Sequence, residues 1–314
     1  MVTKANQKTT SATVADINRN MAENLRYCGP SLISNETTLH NVITMITDII
    51  TKKHPCQLEF GPEEETLEAG EETSEFDWVV VDTGLDVVSG MAAALGASFA
   101  ELWKVFEKTV MRYAGSTEAL ERATAVGVIA ECINGMGSAV TPYTASFLKL
   151  LVHRLGDEDT QTRSNAAYAV GRLVEHSEAK DQIVKEFPTI LSRLEQCLHM
   201  NVSRLQDNAT GCLSRMILRH RENVPIKDVL PVLLTILPLK NDFEENDPLY
   251  HMICQLYKWE DPTVRELTPQ LVPIFQAVLS DEDQLEEERR AELVELVKWL
   301  NQMQPGAAPW ADQL

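Results

Sequence analysis

This sequence predicts an all-α chain, an α-solenoid (superhelix) of stacked helical hairpins. Two observations carry the prediction. Apolar residues recur at helical spacing in paired segments joined by short turns, and the pairs repeat about every forty residues. The clearest pair runs from Thr141 to His176. Phe147, Leu148, Leu150, Leu151 and Leu155 form one apolar face. After an acidic turn at 156–159, Ala166, Val170, Leu173 and Val174 form another. One hairpin cannot bury both faces alone, so it needs neighbours on either side. The neighbours follow in register: Asn165 recurs as Asn208 and Leu155 as Leu198, each 43 residues on. Leu198 recurs as Leu237 after 39 residues, and Leu237 as Leu279 after 42. Pro231 and Pro273 each precede the matched leucine by six residues, and Pro188 and Pro269 by ten. A proline recurring early in a helix fits a first turn or a bend.

Taken in order, residues 1–11 are polar and expected to fray. A helix is expected over 14–25, ending near Gly29-Pro30. A stronger one spans 36–53, with Leu39, Val42, Ile43, Ile46, Ile49 and Ile50 on one face. From Glu59 to Asp77 there are nine acids and no bases, with Gly61, Pro62 and Gly70 among them. That composition predicts a disordered acidic loop at 59–75. Helices resume over 76–95 and 99–113, and Ser116 with Thr117 caps one running to Ile133. The hairpins proceed from Pro142: a helix over 226–237 pairs with one ending near Tyr257, and 262–279 pairs with 286–300. Residues 303–314 read as a frayed tail. A solenoid is one continuous stack, so residues 1–314 are expected to form one domain.

The 314 residues carry a net charge of −19. That balance opposes nucleic acid and anionic membrane as direct partners and favours basic ones. The six cysteines show no CxxC and no paired spacing, which fits reduced thiols in the cytosol or nucleus. There is no signal peptide and no long apolar run, so a soluble, non-secreted chain is expected.

Little points to catalysis. The seven histidines are scattered, and His54 with Cys56 in KKHPC is the closest thing to a metal-ligand pair. Two residues do not make a metal site without two further ligands. No phosphate-binding loop, nucleophile elbow or HExxH is present. No catalytic residue, metal or cofactor is therefore assigned, and the chain reads as a non-enzyme.

The informative polar residues lie on second helices, which line the concave side of stacked hairpins. Asn165, Tyr168, Arg172 and Glu175 form one stripe, and Asn208 repeats Asn165. Asparagines there could hold an extended peptide by its backbone, and neighbouring acids could take its lysines or arginines. A solvated helix face is the alternative. Glu131 is a further acid expected to face the groove. Glu244 and Glu245 could clamp a cationic side chain; equally, Asp242 with Glu245 could be a capping box, with Pro248 marking the first turn.

The segment DEDTQTRSNAAYAVGRL also resembles the HEAT-repeat consensus. The resemblance places Asp157 on its turn aspartate and Arg163 on the arginine six residues later. It implies that these side chains form a structural ladder between adjacent repeats. In the next unit Met200 and Gln206 stand at those positions. The ordered set GSTEALERATAVGVIAEC, NAAYAVGRL, DNATGCLSRM and LPLKNDFEEN, with the acidic insert after KKHPC, is similar to the C-terminal part of importin-4-type nuclear import receptors, within the importin-β (karyopherin-β) superfamily. The resemblance spans roughly residues 25–302. It implies a receptor that shuttles between cytoplasm and nucleus. It also implies an acidic concave face that binds the nuclear localisation segments of basic cargo such as core histones and ribosomal proteins. Ran GTPase and nucleoporins would be partners of the full-length receptor, Ran mainly through N-terminal repeats absent from this chain. A non-transport HEAT-repeat scaffold is the alternative reading, and a hydrolase or transferase on a solenoid is a third.

Overall fold

A computed structural model describes the backbone of residues 4–57 and 67–313, with side chains for residues 10–57 and 78–311. Among the described residues there is no strand. The α-helices are α1 (Lys4–Cys28), α2 (Glu36–Ile50), α3 (Leu67–Leu95), α4 (Phe99–Ala114), α5 (Ala119–Met136), α6 (Thr144–Arg154), α7 (Thr160–His176), α8 (Lys180–His199), α9 (Ser203–His220), α10 (Ile226–Leu234), α11 (Asn246–Lys258), α12 (Pro262–Glu266), α13 (Thr268–Leu279) and α14 (Glu287–Met303). This is the α-solenoid of HEAT-type hairpins that the periodicity predicts. A single domain over 1–314 is expected from sequence; the chain divides into two compact units, residues 1–142 with 176–178, and residues 143–175 with 179–314.

In the first unit α3 is the central element, packing on α1, α2 and α5. Its alternating small and branched residues explain this: Val80, Val81, Leu85, Val87, Val88 and Met91 are all buried. The approach to α5 is close enough that a Cβ on Gly135 would lie 2.6 Å from the Ala92 carbonyl, so only glycine fits there. α4 supplies Phe99, Trp103 and Phe106, fully buried, and Tyr113 donates from its hydroxyl to the Ile50 carbonyl at 2.8 Å.

The second unit is a run of hairpins: α6 with α7, α8 with α9, α10 with α11, and α12–α13 with α14. The repeat leucines behave as the period requires, Leu155, Leu198 and Leu279 being buried. Leu237 is half-buried and precedes a cis proline, Pro238. The helix expected over 262–279 is interrupted at Leu267, because Pro269 has no amide to continue the helical ladder.

Three expectations need correction. Of the acidic loop at 59–75, residues 58–66 lie outside the described residues, but from Leu67 the backbone is already α3. Leucine, glutamate and alanine are strong helix formers, and acids suit an N-terminal turn, so acidity alone does not dictate a loop. Of the tail expected to fray at 303–314, residues up to 311 are docked: Ala308 and Ala311 are buried, and Asn301 Oδ1 accepts from the Gly306 and Ala308 amides at 3.2 and 3.3 Å. The absence of a long apolar run also fails. The helical stretches 78–114 and 119–154 are long and apolar enough to cross a membrane by length and composition, with 61% and 56% of their apolar windows buried inside the fold.

Candidate functional site

The structural ladder is built differently from the expectation. The Asp157 carboxylate, almost fully buried, accepts from Arg154 Nη1 at 2.8 Å and from the Asp159 amide at 3.0 Å. It thereby closes its own turn. Arg163 donates through Nε to the Asp157 backbone carbonyl, and its Nη1 reaches Met200 Sδ at 3.4 Å in the next hairpin. Arg163 is thus the member that links hairpins. At the matched position Gln206 still serves a carbonyl, donating to Leu198 O at 2.9 Å. A further link, from Arg193 to the Val152 and His153 carbonyls, is not visible in the repeat pattern.

On α7 the structure brings Tyr168, Arg172 and Glu175 together, and Arg215 of α9 joins them. The Tyr168 ring has the guanidinium carbons of Arg172 and Arg215 each 5.8 Å from its centre. Glu175 accepts from Arg172 Nη1 at 2.8 Å and from Arg215 Nε at 3.1 Å. Arg215 then turns its other two nitrogens onto Glu245, at 2.5 and 3.2 Å, as a two-pronged pair. Both partners are buried, the Arg215 side chain being 5% exposed and that of Glu245 1%. Burial pushes the Glu245 carboxyl upward, and Arg215 pulls it back. The pair exists because of a glycine: a Cβ on Gly211 would lie 1.3 Å from Glu245 Oε2.

Glu245 is therefore not a partner for Glu244 in a ligand clamp. It faces inward, while Glu244 faces solvent. The alternative capping box does not form either, since Asp242 makes no side-chain cap. Asn208 is also inside. Its Nδ2 lies 3.0 Å from Ser164 Oγ and 3.3 Å from Asp242 Oδ2, so it ties α7, α9 and the 238–245 segment together and does not face a groove. Asn165 is half-buried and accepts from Gln161 Nε2 at 2.9 Å. Glu131 is exposed on α5 in the first unit, apart from the other candidates, which all belong to the second.

Sequence reasoning missed two polar centres. Asp207, 1% exposed, accepts backbone amides from Lys240 at 3.2 Å, Asn241 at 2.7 Å and Asp242 at 2.9 Å, pinning the 240–242 segment to α9. On α11 and α14, Glu292 accepts from His251 Nδ1 at 2.9 Å and Lys258 Nζ at 2.8 Å, and also from Arg289, which holds Asp247 at 3.0 Å. Burial alone would raise the Glu292 carboxyl. The hydrogen bonds and charges of His251, Lys258 and Arg289 outweigh it and hold the group at about 2. The repeat offset offered one signal, since Arg215 lies as far after Arg172 as Asn208 after Asn165.

The arrangement offers charge and hydrogen bonding, with little that is nucleophilic. Burial pushes the Cys132 and Cys212 thiols far up and that of Cys254 to about 12. Such thiols stay protonated and unreactive. Among the described residues no three His, Cys, Asp or Glu side chains converge as a metal ion would need.

The family described as "IPO5-like, TPR repeats" matches residues 82–219. The chain is 37% identical over 262 residues to the probable importin subunit beta-4 of Schizosaccharomyces pombe, covering 81% of this chain and 24% of that protein. It is 28% identical over 279 residues to importin-4 of Homo sapiens, covering 88% and 25%. It thus spans about a quarter of the length of the curated relatives it matches. Its fold resembles that of importin beta, with a TM-score of 0.59 and 14% identity over 92% of this chain and 39% of that one. It also resembles Kap121p crystallised with Pho4p, at 0.58 and 12% over 94% and 34%. The hairpin stack and the ordered motifs thus converge on one assignment: the chain belongs to the importin-β superfamily and is of the importin-4 type.

Proposed function

We propose that this chain is the cargo-binding region of a nuclear import receptor that shuttles between cytoplasm and nucleus, and that its cargo presents basic, extended segments such as histone tails or those of ribosomal proteins. The 37% identity with a probable importin subunit is the observation that carries the transport reading. The net charge of −19 supports the cargo chemistry, because an acidic surface attracts lysine-rich segments over long range. In the second unit Glu244 is exposed to such a segment, and Asn165, Tyr168 and Glu175 are half-buried, Glu175 being already paired with Arg172 and Arg215. From inside, Glu245 holds Arg215, which reaches Tyr168 and Glu175, and Asn208 ties Ser164 to Asp242. Glu131 is exposed on the first unit.

Fluorescence anisotropy with a labelled lysine-rich histone-tail peptide tests this. Saturable binding that weakens as salt rises, and that is lost when the lysines are acetylated, is the expected result. An acetylated peptide that binds as well as the unmodified one removes the charge argument. An absence of saturable binding at low salt favours a scaffold that does not recognise basic segments.

A further inference from the structure

The first unit contains a cleft of about 290 Å³ between α1, α3 and α5, lined by Arg19, Asp82, Thr83, Asp86, Thr124 and Val128. Helical spacing makes it: Asp82 and Asp86 are one turn apart on α3, as are Thr124 and Val128 on α5. The two carboxylates differ. Asp86 is taken by Arg26 of α1. Asp82 is half-buried and receives one hydrogen bond, from Thr124 Oγ1 to Oδ1 at 3.1 Å. Its other oxygen has no partner among the described residues. Burial pushes the Asp82 carboxyl upward, the Thr124 hydrogen bond pulls it back, the charge of Asp86 raises it and that of Arg19 lowers it; the rise prevails, so an ionised Asp82 here is under-compensated. Arg19 lines the cleft but meets that need with its charge alone, because its Nη1 is turned onto Asp16 at 2.8 Å.

Behind Thr83, outside the residues that line the cleft, lies a second unmet acceptor. Asn18 is fully buried, its Nδ2 donates to Thr83 Oγ1 at 3.2 Å, and its Oδ1 has no partner. Farther along the α5 face, Glu131 adds negative charge that reaches Arg26. The cleft therefore keeps one carboxylate oxygen, on Asp82, without a donor among the described residues, and Val128 gives it an apolar side.

We propose that this cleft seats the ammonium of one lysine from a basic partner segment, with Asp82 and Thr124 as acceptors and Val128 against its methylenes. A compact three-donor head on an apolar stem suits two acceptors beside an aliphatic wall. This inference rests on the reading that the chain binds basic segments, and adds to it a seat on the first unit.

Two measurements test it on the whole chain. The first is the affinity for the lysine-rich histone-tail peptide of wild type, Asp82→Asn and Glu101→Gln. Asp82→Asn keeps shape and removes the charge; Glu101→Gln makes the same charge change on the exposed face of α4. Asp82→Asn is expected to weaken binding about tenfold, with Glu101→Gln within about twofold of wild type. The second is the methyl signal of Thr124 during titration with N-acetyl-lysine methylamide, which should shift in wild type and not in Asp82→Asn. Thr124→Val, which keeps the α5 packing, serves as a second variant and should weaken peptide binding in the same direction. If wild type and Asp82→Asn bind the peptide equally and Thr124 does not shift, the seat is wrong while the receptor reading stands. If the peptide does not bind wild type but Thr124 shifts only when Asp82 is present, the receptor reading falls and the seat stands. Failure of both measurements in wild type overturns both.

Discussion

At the scale of single residues, Arg215 and Glu245 form a deeply buried ion pair of the second unit. Two charges this deeply buried attract strongly but lose their hydration. Their net worth is small, whereas removing one partner strands the other. Glu245→Gln is therefore expected to lower stability by about 3 kcal/mol, read from urea denaturation. Gly211→Ala should do the same through sterics, because its methyl group would occupy the position of a Glu245 oxygen. Glu244→Gln, one residue away and exposed, should stay within about 0.5 kcal/mol of wild type. Equal losses for Glu244→Gln and Glu245→Gln would mean that Glu245 is not in the interior. This contrast also marks where sequence reading stopped. Glu244 and Glu245 are chemically identical neighbours, and the residue that separates their fates, Gly211, lies more than thirty positions upstream. The α7 stripe of Asn165, Tyr168, Arg172 and Glu175 was legible because helical spacing alone places it on one face. That Arg215 would take up two of the candidate acids was not, because ion pairing depends on the distance between helices, which no periodicity encodes.

At the scale of elements, the connections between helices carry the testable chemistry. Arg163 joins one hairpin to the next, so Arg163→Ala should lower stability by about 1.5–3 kcal/mol while leaving peptide affinity within twofold of wild type. A variant that melts like wild type yet fails to bind would move Arg163 from the ladder to the ligand. α11 and α14 are joined through Glu292, whose carboxyl lies below its unfolded value of about 4.3. A depressed carboxyl contributes stability that is full above the unfolded value and is lost as pH falls towards about 2. The gap in urea midpoint between wild type and Glu292→Gln should therefore be constant above about pH 5 and close as pH approaches 2. A gap that persists at low pH would show that Glu292 acts by packing. The hairpins themselves were readable from sequence because each must bury an apolar stripe, and the stripe recurs with the repeat. The first turns of α3 and the docked tail were not. Glutamates in a first turn look like a solvated loop by composition, and Ala308 and Ala311 are too small to give an apolar signal.

At the scale of the whole molecule, charge dominates. A net charge of −19 surrounds the chain with a field that draws basic ligands and decays over about 10 Å at 0.1 M salt. The association rate of the lysine-rich peptide should therefore fall on the order of tenfold between low and physiological salt, with a smaller change in dissociation, as stopped-flow would resolve. A rate that ignores salt would place recognition in short-range contacts alone. The segment around Lys240, by contrast, has a property that does not depend on any ligand. Its amides belong to no helix, yet three in succession converge on one buried carboxylate, Asp207. Deuterium exchange across the chain should then show an anomaly: a slow island at 240–242 inside a connection that would otherwise exchange within seconds. Because one acceptor holds all three, they should open as a single event, with a common exchange rate, and Asp207→Ala should release them together. The turn of a single hairpin, between α10 and α11, would then report, amide by amide, on the stability of the helix beneath it.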